Sequence, residues 1–359
     1  MTTSAMSMLF PQEKLRAAAG RIFRAAGSTA EEAEIVADHL VEANLRGHDS
    51  HGVGMIPTYL ESLAAGTLKP NRHGRVVRDD GAFIVYDGER GYGQVVARRA
   101  TDLGIARALE SGIAVAALRN AHHIGRVGSY GEQCASAGLA SLHFVNVIGN
   151  TPRVAPHRGT DARLSTNPLC IALPAAEPDR PMILDMATSK VALGKVRVAR
   201  NEGHPLPPGL IIDSQGRPTN DPQAMFETPA GALLPFAEHK GYALAFACEL
   251  LAGAIAGGGT LKPANQEKRT VTNGMLAFIF DPRRLTDYEW LSAEIREITT
   301  YVTASPPRDT EEPVLIPGDP ERRMRKMRLV EGIPVDAGTC AEIVASAAAL
   351  GLQLPEFTG

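Results

Sequence analysis

The sequence predicts an α/β protein whose central strands and helices are flanked by helical segments at both ends. Apolar residues recur at helical spacing before about residue 72 and again after about residue 283. Between these limits, period-two alternation and short apolar runs alternate with helical stretches. Size is the third observation: 359 residues, 44% of them hydrophobic, exceed one small core, so two domains or one large α/β domain are expected.

Each element has its own signal. Leu15, Ala18, Ala19, Ile22, Phe23 and Ala26 form a helical face over 12–26 that Gly27 stops. Ser28 with Glu31, or Thr29 with Glu32, makes a capping box for a second helix carrying Val36, Ala37, Leu40, Val41 and Asn44. Pro57 suits the first turn of a third helix, with Tyr59, Leu60 and Leu63 inside and Gly66 at its end. Val76-Val77 and Phe83 to Tyr86 flank Asp79-Asp80-Gly81 as a hairpin. Gly91-Tyr92-Gly93 then opens a helix over 93–111, the setting of a dinucleotide fingerprint. Val96 occupies the place of the third glycine and no clear acidic residue follows, so a standard Rossmann site is not expected.

Strands follow at Ile113–Leu118, Ala140–Val147, Leu169–Leu173 and Met182–Asp185, with a loop over 119–128 and a helix over 129–137. Next come a helix over Thr188–Arg200 and a long ordered loop over 201–235, rich in proline and glycine. An apolar helix over 242–256 ends at Gly257-Gly258-Gly259, a helix stop that lacks the Gly-Lys-Ser/Thr of a P-loop. After the strand Met275–Phe280, Leu291, Ile295, Ile298, Tyr301 and Val302 mark one amphipathic helix, and 336–350 marks another. The basic stretch Arg322 to Arg328 between them reads as a solvated helix face.

Composition excludes several classes. Thirty-seven basic and 40 acidic residues give a formal net charge of −3, with no excess suited to a polyanion, so nucleic acid is not an expected partner. Cys134, Cys170, Cys248 and Cys340 are far apart and form no C-x-x-C pair, which argues against a zinc ribbon or disulfide framework and for a reducing compartment. Met1 to Phe10 lacks a basic region followed by an apolar run. The stretch Ala243 to Ala256 contains Glu249 and is too short to span a bilayer. A soluble, cytoplasmic protein with no membrane partner is expected.

Two clusters carry the chemistry. Arg46-Gly47-His48-Asp49-Ser50-His51-Gly52 follows the second helix, and Ala121-His122-His123-Ile124-Gly125-Arg126 joins a strand to a helix. Imidazole titrates near neutral pH, so two such loops point to proton transfer, although a loop histidine is also commonly a surface or capping residue. Adjacent loop histidines point apart, so only one of His122 and His123 is expected to reach a given site. N–H groups at the helix start after Gly125, Arg126 and Val127 favour a phosphate or carboxylate, while Arg126 reads equally as a surface cation. Asp185 reads either as an N-cap or as a site residue at a strand end. His48, Asp49, His51 and the second histidine pair also invite a metal-dependent hydrolase or lyase. The chain has no H-E-x-x-H, and no metal is expected.

Five blocks make the chain resemble the malate/L-lactate dehydrogenase family of the non-Rossmann type. They are Gly47-His48-Asp49-Ser50-His51-Gly52-Val53-Gly54-Met55-Ile56-Pro57, His122-His123-Ile124-Gly125-Arg126, Thr166-Asn167-Pro168, Leu184-Asp185-Met186-Ala187-Thr188 and Glu238-His239-Lys240-Gly241-Tyr242, and the match runs from about residue 12 to about 350. The resemblance implies an oxidoreductase that uses NAD or NADP to interconvert 2-oxo acids and 2-hydroxy acids, with NADPH-dependent reduction of cyclic imines as the alternative. A non-catalytic metabolite sensor on the same fold is a further rival. The implied fold is a non-Rossmann dinucleotide-binding domain with a large, mostly antiparallel sheet over 73–282, plus a helical domain formed by segments 1–72 and 283–359. A homodimer is implied as well.

The resemblance further implies His51 or His123 as the acid/base, with His51 favoured, and Ser50, Arg126 and Thr166 at the substrate. Cofactor contacts are implied for His51, Gly125, Arg126, Val127, Ile183, Leu184, Asp185, Met186, Ala187, His239, Asn273, Gly318, Asp319, Pro320 and Glu321. One departure stands out: many members carry an arginine for the substrate carboxylate where this chain has Met55. Without that bidentate cation, carboxylate binding is expected to move to Arg126 or to backbone N–H groups, and an apolar Met55 suits a larger or aromatic oxo acid.

Overall fold

The computed structural model describes residues 7–174, 176, 180–266, 270–309 and 312–357, so the first six residues of the leader reading lie outside it. Strand β1 (Met8–Phe10), which the sequence did not signal, precedes α1 (Gln12–Ala25) with Leu15, Ala18, Ala19, Ile22 and Phe23 buried as the periodicity required. Helix α2 (Ala30–Leu45) is capped by Thr29, whose Oγ1 accepts the Glu32 N–H at 3.3 Å. Helix α3 (Ile56–Ala64) starts with Pro57 in its first turn.

β2 (Arg75–Asp80) and β3 (Phe83–Asp87) form the expected hairpin. From β3 the chain crosses over through α4 (Gly93–Ser111) to β4 (Ile113–His122), which runs parallel to β3. Gly93 explains a Gly-x-Gly without a Rossmann site. A Cβ there would lie 2.2 Å from the His122 carbonyl oxygen and 2.3 Å from that of His123, so the glycine lets α4 begin against the end of β4. β4 runs four residues past Leu118, which puts His122 in the strand and shortens the expected 119–128 loop to 123–127.

α5 (Gly128–Ser136), β5 (Ala140–Ile148), β6 (Leu169–Leu173) and β7 (Met182–Met186) follow. Helix α6 (Leu193–Glu202) begins five residues later than expected. The Thr188 N–H and hydroxyl both donate to the Thr166 carbonyl, at 2.9 and 2.7 Å, and hold that segment extended. The region read as loop contains a small sheet of β8 (Ile211–Ile212), β9 (Pro218–Thr219) and β10 (Ala232–Leu233), strands too short to leave a periodic trace. Helix α7 (His239–Cys248) continues as a π-helical turn over Glu249–Ile255. β11 (Thr272–Phe280), α8 (Tyr288–Thr303), α9 (Asp319–Glu331), β12 (Ile333–Val335) and α10 (Ala337–Ala348) complete the chain.

The main sheet has the order β2-β3-β4-β11-β5-β6-β7, and only β3–β4 is parallel, which makes it the large, mostly antiparallel sheet expected. β1 pairs with β12, and Phe10, Leu15, Ile22, Phe23, Leu40 and Tyr59 share one core with Ile333, Ile343, Ala347 and Phe357. Among the described residues no helix is long and apolar enough to cross a membrane.

Candidate active site

The loop after α2 is a pair of 3-10 turns, Asp49–His51 and Val53–Met55, organised by Asn44. Asn44 Nδ2 donates to Asp49 Oδ1 at 2.6 Å, and its Oδ1 accepts the Val53 N–H at 2.8 Å. Gly52 is glycine because a Cβ there would fall 2.2 Å from the Asn44 amide oxygen. A second hold comes from α9: Arg328 donates to both Asp49 carboxylate oxygens, at 2.7 and 3.0 Å, and to the Asn44 carbonyl. The basic run is therefore not simply a solvated face. Arg328 is buried, Arg325 pairs with Glu42, and Arg322 pairs with Asp319.

This frame sets His51 beside His123, their rings stacked 17° from parallel with centroids 5.5 Å apart. Ser50 Oγ lies 2.9 Å from His51 Nδ1, and the Tyr59 hydroxyl lies 2.7 Å from His123 Nδ1. Both Nε2 atoms are without a hydrogen-bond partner among the described residues. His122 parts from its neighbour, being buried edge-on against the Tyr59 ring with neither ring nitrogen paired. Desolvation pushes His51 down to about 4, with His48 and Arg126 acting the same way and Asp185 opposing. Burial also holds His123 well below the usual range, reinforced by His51, His122 and His39. Both imidazoles are neutral at pH 7.

Arg126, whose charge acts on His51, is buried. Its Nη2 meets Glu132 at 2.5 Å and its backbone N–H donates to His39 Nε2 at 3.0 Å, while Nε and Nη1 are buried without a partner. The surface-cation reading of Arg126 is thus set aside. Asp185 does act as a helix cap, but for α5 and not for the helix that follows it: its Oδ2 accepts the Gly128 N–H at 2.7 Å. Asn273 joins β11 to the second histidine loop, its Oδ1 accepting the Ile124 N–H at 3.0 Å and its Nδ2 donating to the Asn146 carbonyl at 2.8 Å. Behind it, the buried Glu249 carboxylate accepts from Asn146, Asn167 and the Leu261 N–H, a polar knot that the sequence showed only as an interruption of an apolar stretch.

The remaining expected residues lie around this centre. Ile183 to Ala187 lie on or just after β7, the edge strand of the sheet, and the Ile183 N–H donates to Pro317 beside the turn Gly318 to Glu321. Asp319 in that turn is held at about 2, Arg180 and Arg322 outweighing burial, and Pro320 is exposed. Glu321 lies 3.5 Å from His48 Nε2. Gly125 and Val127 are buried in the second loop, and Thr166 is half-buried. His239 is exposed at the start of α7, its ring against His157, and no contact joins it to the stacked pair. His48, Asp49 and His51 point to Glu321, Arg328 and Ser50 respectively, so the imagined metal ligands diverge; no group of three or more such ligands forms among the described residues. Met55 packs against the core shared by the chain ends. Tyr59, Gln94, His39 and Arg328 escaped sequence reading because each looks there like a core or surface residue.

A family model described as malate/L-lactate dehydrogenase matches residues 10–344. Hydroxycarboxylate dehydrogenase B of Escherichia coli strain K12 is 46% identical over 351 residues, covering 97% of this chain and 96% of the relative. L-lactate dehydrogenase of Cupriavidus necator is 41% identical over 293 residues, 82% of this chain and 84% of the relative. A solved E. coli structure described as a malate/lactate dehydrogenase superposes with a TM-score of 0.94 at 44% identity, covering 98% of each chain.

Proposed function

Since the chain belongs to the malate/L-lactate dehydrogenase family, we propose that it interconverts 2-oxo acids and 2-hydroxy acids with NAD or NADP, His51 exchanging the proton. The observation that carries this reading is the stacked pair His51 and His123, whose Nδ1 atoms alone are engaged, together with a buried Arg126 that bears electrostatically on His51 and has two unpaired nitrogens. A 2-hydroxy acid presents the matching groups: an oxygen for imidazoles and a carboxylate for a cation.

The residues also fit a nicotinamide dinucleotide. On the edge strand β7 the Ile183 N–H already leaves the sheet for Pro317, so the backbone groups of Asp185, two residues on, face the open side, and Arg126 has unsatisfied donors for an anion. Ile183, Ala187, Gly125, Val127, Asn273, His239 and the turn Gly318 to Glu321 are the further candidates to hold it. A nicotinamide held there would supply the hydride acceptor for the hydroxy acid and the hydride donor for the oxo acid. Neutral His51 is the form that accepts the hydroxyl proton in oxidation. In reduction, a substrate carboxylate nearby raises its proton affinity against the desolvation that lowers it. Ser50 orients His51, and Thr166 and Arg126 are assigned to the substrate. A second copy of the chain is assigned to the exposed apolar face of α8, where Trp290, Ile298 and Tyr301 are 57%, 53% and 78% exposed. Four buried free thiols accord with a reducing cytoplasm.

The test follows oxidation of NADH and NADPH with pyruvate, hydroxypyruvate, phenylpyruvate, 2-oxoglutarate and a cyclic imine, for wild type and His51→Ala. Reduction of a 2-oxo acid that falls by about 10²–10⁴ in the variant, with cofactor still bound, is expected. Turnover of the imine alone would move the substrate class to C=N, and cofactor binding without any turnover would make the protein a sensor.

A further inference from the structure

His51 and His123 differ in how their protons are held. Gln94, in the first turn of α4 and buried, donates from Nε2 to the Tyr59 hydroxyl oxygen at 2.6 Å. With that donor on its oxygen, Tyr59 directs its single O–H to His123 Nδ1, 2.7 Å away. An imidazole nitrogen that accepts a hydrogen bond carries no proton, so neutral His123 keeps its proton on Nε2, the atom without a partner among the described residues. Burial holds the Tyr59 phenol far above its ordinary range, so this donor does not ionise. The partner of His51 is different in kind: the Ser50 hydroxyl, at 2.9 Å, serves equally as donor or acceptor and imposes no tautomer.

We propose that Gln94 and Tyr59 are positioning residues that lock His123 as an Nε2–H donor to the substrate oxygen, leaving proton exchange to His51. The role toward substrate rests on the dehydrogenase reading; the tautomer does not. In oxidation the substrate O–H bond breaks and its proton passes to His51 Nε2, while His123 keeps the proton it began with. Gln94 matters because the opposite amide orientation would accept from Tyr59, turn its oxygen into an acceptor, move the His123 proton to Nδ1 and leave Nε2 as a base.

Nitrogen-15 imidazole spectra of the whole protein decide this, with the His123 signals assigned through His123→Asn. Wild type is expected to show the Nε2–H tautomer. Gln94→Glu, whose carboxylate accepts from Tyr59, is expected to invert it and to lower kcat about tenfold or more with KM little changed. Tyr59→Phe is expected to release the lock and mix the two forms. A wild-type proton on Nδ1, or a Gln94→Glu tautomer equal to wild type, overturns the proposal; should Gln94→Glu not fold, the wild-type spectrum and Tyr59→Phe suffice. Tautomers as stated, in an enzyme that reduces no 2-oxo acid, would sink the dehydrogenase reading and leave the lock standing.

Discussion

Acidification from about pH 7.5 to about pH 5 should cost this protein much of its stability, and the reason is its buried imidazoles. His122 and His143 are 2% and 0% exposed, and burial lowers both to about 4 from 6.5. A histidine with a lowered folded pKa binds its proton more readily once unfolded. Stability is therefore complete above pH 6.5 and falls as the pH drops from 6.5 toward 4. At pH 5 each of the two costs about 2 kcal/mol, or about 4 kcal/mol together, against the ~5–15 kcal/mol that holds a typical domain. Asp319, held at about 2, stays ionised in this window and contributes nothing to the loss. Urea unfolding at the two pH values measures the difference. His143→Gln, which keeps a hydrogen-bonding group near Ser141, should shrink it by about 2 kcal/mol. Equal unfolding free energies at the two pH values, or a pH dependence untouched by His143→Gln, would refute the claim that burial keeps these imidazoles neutral. The case for a neutral His51 would weaken with it.

The other predictions concern the frame and the assembly. Arg328→Ala removes the fork on Asp49 and a donor on the Asn44 carbonyl. Because the Asp49 side chain is 48% exposed and rehydrates, the stability cost should be about 1–2 kcal/mol, below the ~3–5 kcal/mol of a fully buried pair. The kcat should fall further than that as the His51 loop loosens, and Arg328→Lys should recover only part of it; unchanged kinetics in thermally weakened Arg328→Ala would show that the clamp is merely structural. Light scattering should give wild type the mass of two chains and Ile298→Lys with Tyr301→Lys the mass of one, and a wild type of single-chain mass would remove α8 as the dimer face.

What the sequence made legible was local. Periodicity marked α1 and α2, alternation marked the β2–β3 hairpin, and polar loops with glycine marked the two stretches that place His51 and His123 face to face. What it left hidden depends on partners far along the chain. Asp185 caps a helix that starts 57 residues earlier, and Arg328 holds Asp49 from 279 residues away, so neither role leaves a spacing to read. Tyr59 and Gln94 were hidden differently. Each sits at a helical position where an apolar face is expected, and a buried phenol or amide is indistinguishable from packing until its hydrogen-bond partner is known. The Gly91-Tyr92-Gly93 stretch shows the converse. Gly93 is needed because α4 starts against the carbonyls of His122 and His123, and Gly91 because the Arg72 carbonyl lies where a Cβ would, so a pattern that elsewhere cradles a pyrophosphate here brings a helix onto the strand that presents the second histidine. The same close approach puts Gln94, one residue further on, 2.6 Å from the Tyr59 hydroxyl, so Gly93 also sets the amide proposed to fix the His123 proton.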